Sequence, residues 1–99
     1  MQMVEDVYKK LIMGIVIQTR KNVGGAAITQ ANTIDGLKVI VIKNKIKDIE
    51  ITDDPVKVTG DLVEKYIKIM GPVALTIAKK VTDPILKENP ELKLPEILK

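Results

Sequence analysis

The sequence predicts a single α+β domain covering residues 1–99. Three observations lead to this class: an apolar helical stripe over 61–82, an amphipathic helical pattern over 3–13, and two β-branched runs at 37–43 and 46–52. The length of 99 residues suits one ordinary domain. We expect an N-terminal helix, an antiparallel sheet of three or four strands, a long kinked helix and a short C-terminal helix.

The N-terminal helix is predicted over residues 3–13, where apolar side chains recur every three or four positions and charged side chains fill the opposite face. Gly14 interrupts this pattern. The β-branched residues that follow favour a strand over residues 15–20. A helix that continues to Gln18 is the alternative.

A turn is predicted over residues 21–25, Lys21-Asn22-Val23-Gly24-Gly25, because consecutive glycines allow positive φ and suit a hairpin. A glycine pair can also cradle phosphate, but neither a G-x-G-x-x-G motif nor a P-loop lysine follows it. Residues 26–34 fit either a weak strand or a short helix. Asp35-Gly36 marks a second turn.

The two β-branched runs predict the clearest element, a hairpin of strands 37–43 and 46–52. Asn44-Lys45 supplies its turn, because asparagine tolerates the left-handed backbone that tight hairpins need. This register places residue 40 opposite 49 and residue 42 opposite 47. The buried face then carries Ile40, Ile42, Ile49 and Ile51. The half-exposed face carries Val39, Val41, Asp48 and Glu50.

A long helix is predicted over 61–82. Its apolar stripe consists of Leu62, Val63, Tyr66, Ile67, Met70, Val73, Ala74, Ile77, Ala78 and Val81. Asp61 and Glu64 form a start like a capping box. The stripe continues across Gly71-Pro72, although proline removes a helical hydrogen bond. The pattern therefore indicates one kinked helix or two shorter helices meeting at Gly71. Tyr66 is expected in the core, with its hydroxyl at the rim.

The segments beside the long helix are shorter. Residues 56–59 suggest a short extended piece after the hairpin. Asp83 followed by Pro84 predicts a helix start running to about Glu88. The last ten residues hold four large aliphatic side chains, which favours a docked tail over a disordered one: Leu92, Leu94, Ile97 and Leu98.

The composition argues against an enzyme. The chain contains no Cys, no His and no Ser, which removes the usual general base at neutral pH, the commonest metal ligand and both common nucleophiles. The acidic residues Asp48, Glu50, Asp53 and Asp54 do not follow the spacing of a calcium-binding EF-hand loop. Asp53 and Asp54 fit a turn before Pro55 instead. We expect no catalytic residue, no metal site and no cofactor.

The aliphatic content predicts protein contacts. The chain holds 15 Ile, 11 Val and 8 Leu but only two aromatic residues, Tyr8 and Tyr66. So many branched side chains exceed what the core of so short a monomer is expected to cover. The leading functional hypothesis is a non-enzymatic, highly stable interaction protein that acts as a homodimer or through an aliphatic partner surface.

The hairpin lysines lead to an alternative function. Lys38, Lys43, Lys45 and Lys47 lie in one ten-residue window, with no acidic residue before Asp48. A basic two-stranded ribbon can enter a groove or follow a phosphate backbone. Lysines can equally protect exposed sheet edges. Because the chain has one arginine and the window has no aromatic residue, nucleic-acid binding is expected to be weak, sequence-tolerant and salt-dependent.

The composition also predicts the growth temperature of the source organism and the location of the protein in the cell. Abundant Ile, Lys and Glu without Cys is typical of hyperthermophile proteins, although an AT-rich genome biases codons the same way. Glu5 and Asp6 stand where a signal peptide would be basic. The longest apolar run, Leu11 to Ile17, is too short to span a membrane. We expect a cytoplasmic protein (host cytoplasm, if viral) without a membrane partner or a small-molecule substrate.

The segment Tyr66 to Ala74, followed by Lys79 and Lys80, looks like the Y-x-G-P-x-A helix of an uncharacterised C-terminal module of some prokaryotic signalling proteins. Extra residues separate the tyrosine from the glycine here. In size and composition the chain resembles small orphan proteins of hyperthermophilic archaea and of their filamentous DNA viruses. Neither resemblance implies a site residue.

Overall fold

The computed structural model describes residues 4–99 and confirms the α+β class. This part of the chain forms four helices, α1 (Val4–Val23), α2 (Ala26–Ala31), α3 (Pro55–Met70) and α4 (Val73–Glu88). Strands β1 (Leu37–Ile42) and β2 (Lys45–Ile51) pair antiparallel, and a 3₁₀ helix, Glu96–Leu98, follows α4. Within residues 4–99 the sheet has two strands, instead of the three or four predicted. Met3, which the sequence placed in the first helix, lies outside the described residues.

Helix α1 runs without a break through Gly14, so the strand predicted over residues 15–20 is wrong and the helical alternative is right. The residues after the glycine extend the buried stripe of α1 through Ile15, Val16 and Thr19. Gly14 lies where α1 crosses α4, because a Cβ at this position would stand 2.6 Å from Cγ1 of Val81. The glycine therefore permits a close helix approach.

Of the turn predicted over residues 21–25, only Gly24-Gly25 is present, because α1 continues to Val23. This turn joins two helices rather than two strands. Gly24 has φ +68°, and its N–H donates to the Arg20 carbonyl at 2.8 Å. A glycine with positive φ is a common way to end a helix. Helix α2 follows, so the segment that fitted either a strand or a helix begins as a short helix.

Helix α3 begins at Pro55, six residues before the predicted start. Asp54 is its N-cap, since its side chain accepts a hydrogen bond from the N–H of Val56 at 3.0 Å. The Asp61 cap and the extended piece at 56–59 were therefore wrong predictions. Proline at the first helical turn and an aspartate before it are strong helix-start signals, and burial of Val58 continues the apolar stripe toward them.

Gly71-Pro72 separates two helices, so the single kinked helix over 61–82 is wrong and the two-helix alternative is right. Gly71 has φ +72°, and its N–H donates to the Ile67 carbonyl at 2.7 Å. Pro84, predicted to open a new helix, lies inside α4. Both Pro84 and Lys80 are exposed, so the Lys80 carbonyl that loses its helical donor can be hydrated.

Both tyrosines are buried and donate their hydroxyls to backbone carbonyls. Tyr66 Oη lies 2.6 Å from the Ala27 oxygen, which ties α3 to α2 inside the core, so the predicted rim position of this hydroxyl is wrong. Tyr8 Oη lies 2.6 Å from the Lys93 oxygen. Burial raises the pKa of Tyr8, and the charge of Asp54 adds to this effect; burial also raises the pKa of Tyr66. Both phenols therefore remain neutral donors at physiological pH.

The core is centred on α1, which contacts α2, α3, α4 and β2. The predicted docked tail is confirmed, because Leu94 and Leu98 are buried and the other two tail aliphatics are partly buried against the core. A second glycine allows this docking: a Cβ on Gly60 of α3 would stand 3.0 Å from Cβ of Pro95. The tail thus covers α3 and the first turns of α1.

The Gly14 crossing can be tested with a double-mutant cycle. Gly14→Ala gains about 1 kcal/mol of helix propensity, but the new methyl group meets Val81, and overpacking costs about 1–3 kcal/mol. Valine is rotamerically restricted in a helix, so the side chain cannot turn away cheaply. We expect Gly14→Ala to lower the free energy of unfolding in urea by about 1 kcal/mol. In a Val81→Ala background the same change should raise it. Equal stabilisation in both backgrounds would contradict the close approach.

Candidate functional site

The turn of the hairpin fixes a register different from the predicted one. Lys43 and Asn44, with φ +52° and +66°, form the two-residue turn in place of Asn44-Lys45. Val39 consequently lies opposite Ile49, and Ile40 lies opposite Asp48. A one-residue shift exchanges the two faces of β1 relative to β2. The predicted pairing of 40 with 49 and 42 with 47 is therefore wrong.

The new register changes which isoleucines are buried. Leu37, Val39 and Ile49 are buried, and Ile51 is partly buried, on the face that packs against the helices. Ile40 is only partly buried, and Ile42, predicted to lie in the core, is 51% exposed. An irregularity in the ladder after Ile40 lets Ile46 pair with Val41, which is 38% exposed. The end of the hairpin thus carries two exposed aliphatic side chains.

The four lysines of the predicted site are all exposed but do not form one patch. Lys43 lies in the turn, and Lys45 and Lys47 follow it in β2, so these three surround the end of the hairpin. Lys38 lies four residues before Ile42, about 13 Å back along the strand. Its Cα partner across the sheet is Glu50, whose opposite charge offsets it. The structure therefore brings three of the four predicted lysines, Lys43, Lys45 and Lys47, together at the end of the hairpin.

The lysines at the end of the hairpin form no ion pair with the carboxylates of residues 4–99. Within residues 4–99, carboxylates lie within 4 Å of Lys10, Lys57 and Lys99, and of no other lysine. The hairpin end, defined here as residues 41–47, contains three lysines and no acidic residue. We refer to it below as the tip. It combines three positive charges with the exposed side chains of Val41 and Ile42.

The two outer edges of the sheet are identified by the bonding at its base. The Thr52 N–H donates to the Gly36 carbonyl at 2.8 Å, so these residues form a hydrogen-bonded pair. Hydrogen-bonded and non-hydrogen-bonded pairs alternate along an antiparallel ladder. Val39 and Ile49 therefore form a pair whose backbone groups point away from the partner strand, toward the two edges.

Side chains satisfy the edge N–H groups of this pair. The Val39 N–H donates to Oδ1 of Asn32 at 2.7 Å, and the Ile49 N–H donates to Oδ1 of Asp48 at 2.8 Å. Both edges are closed at the same level of the sheet. An unpaired edge is a template for association with another chain, so Asn32 and Asp48 disfavour strand addition at the middle of this hairpin.

A groove with a volume of about 730 Å³ lies between α1 and α4. Every fourth residue of α1 lines it: Lys10, Gly14, Gln18 and Asn22. The apolar residues of α4 that line it are Val73, Ile77, Val81, Pro84 and Ile85. Sequence reasoning missed this groove because it treated Gly14 as the end of a helix. The four-residue spacing of small and polar residues on α1 was the available signal.

The groove carries little net charge. Lys10 Nζ lies 3.8 Å from Oε2 of Glu88 at one end, and both side chains are exposed. Lys80 is the third charged residue of the lining, so two lysines and one glutamate give a net charge of +1. The remaining polar residues of the lining, among them Gln18 and Thr76, are uncharged. The groove therefore has an apolar floor and a weakly charged rim.

The two acidic residues after the hairpin, Asp53 and Asp54, were predicted as turn residues and lie between β2 and α3. Asp53 accepts a hydrogen bond from the Asp54 N–H at 2.7 Å, and Lys57 Nζ lies 3.4 Å from its Oδ2. The backbone bond and then Lys57 lower the pKa of Asp53. Asp54 caps α3. In the described part of the chain, no three carboxylates are grouped so that they could hold a metal ion.

No protein-family model, curated protein or solved structure matches the chain. Over residues 4–99, none of the helices combines the length and the apolar character needed to cross a membrane.

The edge-closing side chains can be removed together. Asn32→Ala with Asp48→Ala leaves one N–H open on each sheet edge, so we expect concentration-dependent association beyond the oligomeric state of the parent protein. Sedimentation velocity over a range of concentrations measures this. Gln30→Ala with Asp83→Ala, which removes an amide and a carboxylate elsewhere, serves as the control. An association profile equal to that of the parent would show that the two side chains do not protect the edges.

Proposed function

We propose that the protein is a non-enzymatic interaction protein that pairs with a second copy of itself through the groove between α1 and α4. The observation that carries this proposal is the exposed aliphatic surface at the N-terminal end of α4. Val73 is 52% exposed and Ile69, just before it in α3, is 43% exposed. Val73 lines the groove and continues its apolar floor at Ile77 and Val81. An aliphatic surface of this kind is typical of a protein contact.

Helix geometry favours a second copy as the occupant. Val73, Ile77 and Val81 recur every four residues and form a ridge along α4. The lining residues of α1, from Lys10 to Asn22, form a second ridge with the same spacing. Ridges of this spacing pack into grooves of the same spacing. The exposed end of the α4 ridge of one protomer, at Val73, can therefore enter the groove of another, and a two-fold axis makes the contact mutual.

Charge supports the same occupant. The whole chain carries a net charge of +3, so most of its basic surface would repel a second copy. The groove lining carries a net charge of only +1, because the charge of Glu88 offsets that of Lys10. The absence of His, Cys and Ser from the sequence supports the non-enzymatic part of the proposal.

Val73→Glu tests the groove contact. Residue 73 lies in the first turn of α4, where a carboxylate suits the helix dipole, so the substitution should not unfold the monomer. In a dimer it buries an unpaired charge, which costs about 3 kcal/mol or more. We expect the parent protein to sediment as a dimer of twice 11.0 kDa. The dimer dissociation constant of the variant should be at least about a hundredfold higher.

Val4→Glu is the matched control, since Val4 is also an exposed aliphatic residue in the first turn of a helix, outside the groove. Its dimer dissociation constant should stay at the parent value. A parent protein that is monomeric at all concentrations tested would refute the proposal. Equal weakening by both substitutions would place the interface elsewhere.

A second candidate function, sequence-tolerant nucleic-acid binding, is favoured by the charge of the tip. Lys43, Lys45 and Lys47 are exposed, and each lies more than 4 Å from every carboxylate in residues 4–99. Lysines held near a phosphate backbone release counterions, which gives affinity without sequence information. The protein would then use its hairpin as a basic ribbon, with Lys38 contributing least because Glu50 lies opposite.

A gel-shift titration of a duplex at several salt concentrations tests this function. Lys43→Gln, Lys45→Gln and Lys47→Gln combined should weaken binding at least about tenfold at low salt. The triple change should also reduce the slope of log K against log salt by up to about 3. Lys68→Gln, Lys79→Gln and Lys87→Gln remove the same charge from exposed helical positions and serve as the control. Equal losses in the two triple variants, or no binding by the parent, would refute a tip-centred site.

A further inference from the structure

The tip of the hairpin presents an apolar side chain in the middle of its positive charges. Ile42 is 51% exposed and Val41 is 38% exposed, whereas Leu37 and Val39 of the same strand are buried. Ile42 lies opposite Lys45, and Lys43 follows it in the turn. Lysines alone would be enough to keep the end of the hairpin soluble and apart from other sheets. The exposed isoleucine is therefore available for a contact that the lysines alone do not make.

The distribution of charge indicates that a polyanion meets the hairpin end-on. Lys38, at the base, lies opposite Glu50, and Asp48 lies opposite Ile40 on the same outer face. The outer face of the base therefore carries one lysine against two carboxylates, and the positive charge is concentrated in and beside the turn, at Lys43, Lys45 and Lys47. End-on contact brings the turn of Lys43 and Asn44 to the polyanion first, with Ile42 and Lys45 directly behind it at the ends of the two strands.

We infer that the tip inserts into the minor groove of duplex nucleic acid, with Ile42 as a wedge against a base step and Lys43, Lys45 and Lys47 on the flanking phosphates. This inference rests on the nucleic-acid-binding function proposed above. Apolar side chains such as Ile and Leu can partly unstack a base step from the minor groove, while basic residues hold the backbone. The exposed aliphatic residue and the unpaired lysines provide both parts of this arrangement.

The wedge predicts how the protein discriminates among duplexes. Residues 37–51 contain no arginine and no aromatic side chain, so guanine readout by arginine and stacking on aromatic rings are not available there. Discrimination must then come from how easily a step is unstacked. Pyrimidine–purine steps such as TA deform easily, whereas A-tracts are stiff. We expect preference for a duplex with a central TA step over an A-tract of equal length.

Ile42→Thr tests the wedge. Threonine keeps the β-branched shape that the strand prefers but replaces the apolar end with a hydroxyl. With the parent protein, a duplex carrying 2-aminopurine at a central TA step should gain fluorescence as that base unstacks. Ile42→Thr should abolish most of this gain and lower the affinity about three- to tenfold. It should leave the salt dependence unchanged, because the lysines remain. Val4→Thr, at another exposed aliphatic position, should change neither quantity.

The results of these measurements distinguish insertion of Ile42 from binding by the lysines alone. Parent-like fluorescence gain and affinity in Ile42→Thr would refute the wedge while leaving the lysine contacts standing. Failure of the parent to bind any duplex would refute both. Two further measurements address other occupants of the tip. Binding to vesicles containing anionic phosphatidylserine that is lost in Ile42→Thr would assign the tip to a lipid surface and overturn the inference. Dissociation of the parent oligomer by Ile42→Thr would assign the tip to a contact between copies of the chain and would also overturn the inference.

Discussion

The close approach of α1 to α4 at Gly14 is the contact on which the arrangement of the other elements depends. Helix α1 is 20 residues long and presents one buried stripe to three helices and to β2. Because glycine has no Cβ, the side chain of Val81 can stand directly against the α1 backbone. Gly14 and Val81 also line the groove between the two helices, with Lys10 and Gln18 one turn away on either side of the glycine. One residue thus brings the two helices together and shapes the groove between them.

The hairpin depends on this helical layer for its stability. An isolated pair of strands is marginal in water, and here one face is buried on α1 and α2 while Asn32 and Asp48 close the two edges. This support ends near the middle of the strands. Beyond it the ladder becomes irregular, and Val41 and Ile42 emerge into solvent. A rigid base with an exposed end suits an element that reaches into a partner.

The two proposed binding surfaces, the groove and the tip, belong to different elements. Dimerisation through the groove would raise the affinity of the tips for a polyanion. The groove is built by two helices, whereas the tip belongs to the sheet. A homodimer formed through the groove carries two tips. Once the first tip is bound, the second meets the same polyanion at a high effective concentration. Avidity of this kind would let three lysines per chain hold a partner that one tip binds weakly.

The sequence by itself determined the α+β class, the presence of the hairpin and the docked tail, because periodicity, turn chemistry and apolar content act over a few residues. At Gly71 it left both one kinked helix and two shorter helices open. It also identified the hairpin lysines, since a cluster of like charges is visible along the chain. Only the tertiary structure decided that Gly14 lies inside a helix, because the reason for that glycine is Val81, 67 positions away. The same holds for the exposure of Ile42: Asn44 suits either of two adjacent turns, and packing of β1 on the helices selects the one that leaves this isoleucine outside the core. The groove and the apolar part of the tip both depend on long-range packing: the four-residue spacing on α1 indicates a helix face but not the helix that lies against it, and nothing local fixes the exposure of Ile42.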